Sequence, residues 1–149
     1  MRIFIYCADP REEADLEEKI NEQLLSEDER SGAKKIIRLS FFGGPICLAH
    51  PDHLLKNDAL WLLGQVRFAV KNFPGTNNVV LIGHDCGYYD CIPLLADGAK
   101  KREDIKRGVY FLHKNIHGLV IDAYYDNKSS FEKIMGAKKA HELRPVLQK

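Results

Sequence analysis

The stretch Val79-Val80-Leu81-Ile82-Gly83-His84-Asp85-Cys86-Gly87 decides how the rest of the chain is read. Its first four residues are continuously apolar and bounded by turn residues, the pattern of a strand buried on both faces, as parallel strands are. Its last five carry an imidazole, a carboxylate and a thiol between two glycines. In open α/β sheets, ligands gather outside the carboxyl ends of the strands. One segment therefore predicts both a buried parallel sheet and the place where chemistry belongs.

Upstream of it, the clearest helix runs from about Asn57 to Phe73. Ala59, Leu62, Leu63, Val66, Ala69, Val70 and Phe73 follow helical spacing, and Pro74-Gly75 stops it. A strand over Lys35 to Phe41 precedes that helix, with an irregular stretch containing Gly43-Gly44-Pro45 between them. This stretch lacks the Lys-Ser/Thr ending and glycine spacing of a phosphate loop. At the start, Ile3 to Tyr6 form a short β-rich run ending at Cys7. The segment Asp9 to Leu25 follows, with Leu16, Ile20 and Leu24 at four-residue steps on a charged surface, an amphipathic helix. Downstream, a helix over Arg102 to Ile116 carries Ile105, Val109, Leu112 and Ile116 on one side, and Leu119 to Tyr125 reads as a fourth strand. From Ser129 two readings stay open. Asp126-Asn127 turns the chain into a short antiparallel strand, or Ser129 with Glu132 forms a capping box that opens a helix. The alternation β-α-β-α-β-α-β predicts an α/β fold: a doubly wound, mainly parallel sheet of four to five strands with helices on both faces. No internal repeat or linker interrupts residues 1–149, so one domain is expected.

Composition narrows the function classes. The 149 residues are 45% hydrophobic and 29% charged, with a formal net charge of +1. That balance gives no reason to expect a nucleic-acid or membrane partner. No run approaches the ~20 apolar residues of a membrane span. The first residues turn acidic too soon for a signal peptide, so a cytoplasmic setting is expected. There thiols stay reduced, and Cys7, Cys47, Cys86 and Cys91 read as core residues, ligands or nucleophiles rather than disulfides.

Two segments with unusual residues stand at strand ends: Cys7-Ala8-Asp9-Pro10-Arg11 and Gly83-His84-Asp85-Cys86-Gly87. Strands one and three are neighbours in the usual doubly wound order, so the two loops face each other. In extended backbone, His84 and Cys86 project to one side ~6.6 Å apart, and Cys7 closes from the adjacent strand. Two thiols and an imidazole suit zinc, and three protein ligands leave a fourth position open. Asp9 has a structural reading too: Asp as N-cap, Pro10 at the first helical position and Glu12 reaching back. Arg11 in a first helical turn opposes the macrodipole, which favours a role beyond capping. Cys47 reads as structural, and Cys91 is an alternative ligand should Cys86 turn away. Asp85 either caps backbone amides or does chemistry. His113 and His117 have chelating spacing but suit a helix C-terminus, and His50, His53 and His141 read as surface or loop residues. Trp61 and Phe68 belong to a core or an interface between subunits.

These motifs also carry a resemblance. Cys7-Ala8-Asp9-Pro10-Arg11 matches the Cys-x-Asp-x-Arg motif of the β-class carbonic anhydrases. Gly83-His84-Asp85-Cys86-Gly87 is similar to their Gly-His-x-x-Cys-Gly motif with one residue fewer. More diffuse likeness covers Leu60 to Val70 and His117 to Asp126. The resemblance implies zinc held by Cys7, His84 and Cys86, an Asp9–Arg11 dyad beside the open position, and reversible hydration of carbon dioxide to bicarbonate. It also implies a homodimer or higher homo-oligomer. Zinc lowers the pKa of bound water towards ~7, which makes hydroxide available at neutral pH. Related members of that fold hydrolyse small linear molecules such as carbon disulfide. Two other readings of the residues stand beside it: a noncatalytic zinc protein whose fourth position is filled by Asp9, Cys91 or another side chain, and a metal-free flavodoxin-like module with Cys86 as a redox thiol.

Overall fold

The computed structural model describes residues 1–51, 56–90 and 98–138. Five strands form one sheet: β1 (Arg2–Cys7), β2 (Ile36–Phe41), β3 (Asn78–His84), β4 (Val120–Asp126) and β5 (Phe131–Lys138), in the order β2-β1-β3-β4-β5. The first four run parallel, and β5 pairs antiparallel with β4. The helices are α1 (Glu13–Lys19), α2 (Glu27–Arg30), α3 (Lys56–Asn72), α4 (Gly87–Asp90) and α5 (Gly98–Asn115). The expected fold class is the one observed.

Alternation along the strands builds a core on each face of the sheet. Ile3, Ile5, Val79, Leu81, Ile121 and Ala123 face one layer, where Leu62 and Val66 of α3 meet Ile105, Val109 and Leu112 of α5. Phe4, Tyr6, Val80 and Ile82 face the other, against Leu16, Ile20 and Leu25. Each fully buried side chain of this kind stabilises the fold by roughly 2 kcal/mol. Such packing, rather than intrinsic propensity, holds a helix as short as α1 in place.

Two elements differ from the sequence expectation. The amphipathic segment Asp9 to Leu25 is not one helix: α1 starts at Glu13, and Ile20–Leu24 is a π-helical turn in which the Leu25 amide bonds the Ile20 carbonyl at 3.0 Å. The wider turn adds a residue, so Leu25 is buried while Leu24 is only half-buried. A separate helix, α2, follows, with a capping box between Ser26 and Glu29. Glu29 also takes two hydrogen bonds from the Arg2 guanidinium, at 2.8 and 2.6 Å. In the tail, the strand reading holds and the capping box does not form. The Asn127 side-chain oxygen accepts the Ser129 and Ser130 amides, and Lys128 takes φ +79°. This local turn chemistry sends the chain back as β5. Glu132 pairs with Arg102 at 3.1 Å.

Candidate metal centre

Parallel pairing of β1 with β3, in the register Ile5↔Leu81, brings the ends of these strands side by side. Cys7 is the last residue of β1, His84 the last of β3, and Cys86 stands two residues beyond. All three side chains are buried. The sulfurs of Cys7 and Cys86 lie 3.5 Å apart, and one ligand atom from each of the three residues falls within 4.8 Å of the others. Two sulfurs on one tetrahedral zinc would stand ~3.8 Å apart, given a Zn–S distance near 2.3 Å. Among the described residues, these three form the one group of three or more His, Cys, Asp or Glu with ligand atoms so close.

The donor atoms of the cluster suit a bound cation. His84 Nε2 is buried without a hydrogen-bond partner, an arrangement that costs free energy unless something binds it. Cys7 and Cys86 divide a proton unequally. Contact with the Cys7 sulfur, with the His84 ring beside it, holds Cys86 well below the usual thiol range despite its burial. Cys7 is pushed up, first by that same contact and then by burial. Backbone amides support both sulfurs: Gly43 donates to Cys7 at 3.3 Å, and Tyr88 donates to Cys86. The residues fit a divalent cation that would displace the shared proton.

Asp9 lies beside this cluster, almost fully buried at 5% exposure. Arg11 grips its carboxylate with both ends of the guanidinium, Nε to Oδ1 at 3.0 Å and Nη2 to Oδ2 at 2.6 Å, and with its own amide at 3.0 Å. Those bonds pull the Asp9 carboxyl down to about 2. Both readings of Asp9 hold in part: its Oδ1 accepts the Arg11 backbone amide, as a capping Asp does, and the same carboxylate takes the Arg11 guanidinium, while α1 itself starts only at Glu13 with Glu12 at its N-cap and no side-chain cap there.

The loops around the site depend on glycines. Gly44, at φ +57°, lies so close to β1 that a Cβ there would stand 2.9 Å from the Cys7 nitrogen. A Cβ on Gly87 would stand 2.8 Å from Arg11 Nη2. This architecture is similar to that of a solved structure. A carbonic anhydrase from Glaciozyma antarctica superposes with a TM-score of 0.50, at 20% sequence identity, over 90% of this chain and 81% of that one. The fold is carbonic anhydrase-like. No family model and no curated protein match the chain.

Other candidates fall elsewhere. Cys47 is buried, its thiol pushed up to about 12 by burial, and donates to the Gly44 carbonyl at 3.5 Å. Asp85 is not among the clustered ligand residues and takes a hydrogen bond from Lys101 at 2.9 Å. His50 bonds Asp104 at 3.0 Å, His113 is buried in α5 and His117 is exposed. Trp61 and Phe68 are half or more exposed on α3. Cys91, His53 and His141 lie outside the described residues. The Gly43 amide, Lys101 and the buried Lys19–Asp126 pair at 2.9 Å escaped the sequence reading. For Gly43-Gly44 a signal was there, since adjacent glycines at a strand end permit close backbone approach. No helix among the described residues is long and apolar enough to cross a membrane.

Proposed function

We propose that the chain is a zinc-dependent lyase interconverting carbon dioxide and bicarbonate, acting as a homodimer in a cytoplasmic setting. The observation that carries this reading is the buried cluster itself: one ring nitrogen of His84 and the sulfurs of Cys7 and Cys86 lie within 4.8 Å of one another, and His84 Nε2 has no hydrogen-bond partner. Two thiolates and an imidazole favour zinc over harder cations, and three protein donors leave one position for solvent. When bound, zinc would supply a hydroxide nucleophile at neutral pH by acidifying its water.

The chain's own residues do the rest. Asp9, ionised throughout the neutral range, accepts a hydrogen bond and so orients a donor beside the cluster. Arg11 fixes that carboxylate through two parallel bonds, a geometry a lysine could not reproduce. Phe42 and Tyr88, whose rings stack at 6.3 Å, follow Phe41 at the end of β2 and Gly87 beyond Cys86. Their apolar surface suits a neutral, linear substrate better than a charged one. The carbonic anhydrase-like fold supports the same reading.

Metal analysis combined with stopped-flow hydration tests it, on wild type and Cys7→Ser. Wild type is expected to hold close to one zinc per chain and to hydrate carbon dioxide, and Cys7→Ser to lose both. Zinc at full occupancy with hydration at background across the pH range would instead make this a noncatalytic zinc protein.

A further inference from the structure

We propose that Lys101 is a positioning residue for the metal centre, acting through Asp85 to fix the single-residue bridge between His84 and Cys86. The inference rests on the metal-binding reading of Cys7, His84 and Cys86, and not on the reaction.

With one residue between them, His84 and Cys86 take their directions from the backbone at Asp85. That residue sits in a loop whose side chain is 61% exposed, so packing alone does not hold it. Its partner is the reverse case. Lys101 is 1% exposed, and its ammonium lies 2.9 Å from the Asp85 carboxylate. A buried lysine is costly unless its charge is met, and an apolar side chain of the same length would fill the space in α5 without that cost. The position of the charge, rather than the volume of the side chain, is therefore the property that needs explaining.

The same face of α5 holds the neighbouring position. Ile105, one turn after Lys101, occupies the space that a Cβ on Gly83 would need. Residues i and i+4 of one helix thus bracket His84, holding Gly83 by packing and Asp85 by charge. On the far side of Cys86, the Arg11 guanidinium abuts Gly87. The segment 83–87 is gripped at three points, and the two ligand side chains lie between the grips. A bridge this short tolerates little backbone drift before one donor leaves the ion. Outer contacts that orient ligands change metal affinity by about 10- to 100-fold when removed.

Competition titration with a zinc chelator, and the absorption spectrum of the cobalt-substituted protein, test this on Lys101→Met, Asp85→Ala and the double variant. Each single variant is expected to bind zinc about 10- to 100-fold more weakly and to shift the thiolate-to-cobalt bands. The double variant is expected to lose no more than the weaker single, because both singles already remove the Lys101–Asp85 contact. Wild-type affinity and an unchanged cobalt spectrum in both singles would overturn the proposal, as would losses that multiply in the double. If Lys101→Met fails to fold by circular dichroism, Asp85→Ala decides alone, since its side chain is largely in solvent. Wild type that binds no zinc would remove the metal reading and this inference together. Wild type that binds zinc without hydrating carbon dioxide removes only the reaction.

Discussion

Asp9 shows how a single side chain is committed by its neighbours. Held by three bonds from Arg11, its carboxyl lies at about 2, so it stays charged across any working pH. A folded-state value below the unfolded ~3.9 contributes stability that is complete above that value. The contribution is lost as pH falls through about 2. An acid limb in a hydration profile near neutrality therefore has another origin. Asp9→Asn is expected to keep zinc and lower kcat by about 100-fold, measured by stopped flow with metal analysis. It should also remove the part of the acid-induced fall in melting temperature that Asp9 causes. Wild-type turnover in that variant would take Asp9 out of the chemistry. At this scale the grouping of Cys7, His84 and Cys86 was legible, because they stand at or just beyond the ends of two apolar strands. The Lys101–Asp85 contact was not, since it joins positions sixteen residues apart with no local signature.

At the scale of elements, strand and helix existence followed directly from periodicity, whereas the interruptions did not. Leu16, Ile20 and Leu24 keep helical spacing through a turn that is not α-helical, and the choice of Leu25 for the core is a tertiary effect. The tail was a contest between two local chemistries, settled by the Asn127 turn and by pairing with β4. Gly43-Gly44 read as irregular, yet it lays a backbone amide on the Cys7 sulfur. Gly44→Ala places a Cβ against β1 in a left-handed conformation, so a loss of ~1–3 kcal/mol is expected in urea unfolding. Zinc affinity should fall as well, because the Gly43 amide moves with its neighbour. Unchanged stability would show that the loop can shift without consequence.

For the whole molecule, the doubly wound order was legible from the alternation of elements, since right-handed crossovers between parallel strands leave few topologies. What the alternation could not supply was the ionic stitching, such as Lys19 of α1 against Asp126 at the end of β4. The proposed homodimer belongs to this scale. β2 is an edge strand, and beside it α3 exposes Leu60, Trp61 and Phe68, with Trp61 in edge contact with Phe41. Such apolar surface on a helix is a mark of association. Light scattering is expected to give twice the 17.0 kDa chain mass, and Trp61→Glu to return it to that of one chain; a monomer in wild type would refute the assembly. One consequence of the cluster's layout reaches the entire chain. Its sulfurs are 79 positions apart in sequence, so an ion held between them acts as a removable staple across more than half the polypeptide. Melting temperature should then climb with free zinc, by ~4 kcal/mol of stability at a thousandfold excess over the dissociation constant. Chelation should reverse it, and calorimetry at several zinc activities would show a flat response if no such staple exists.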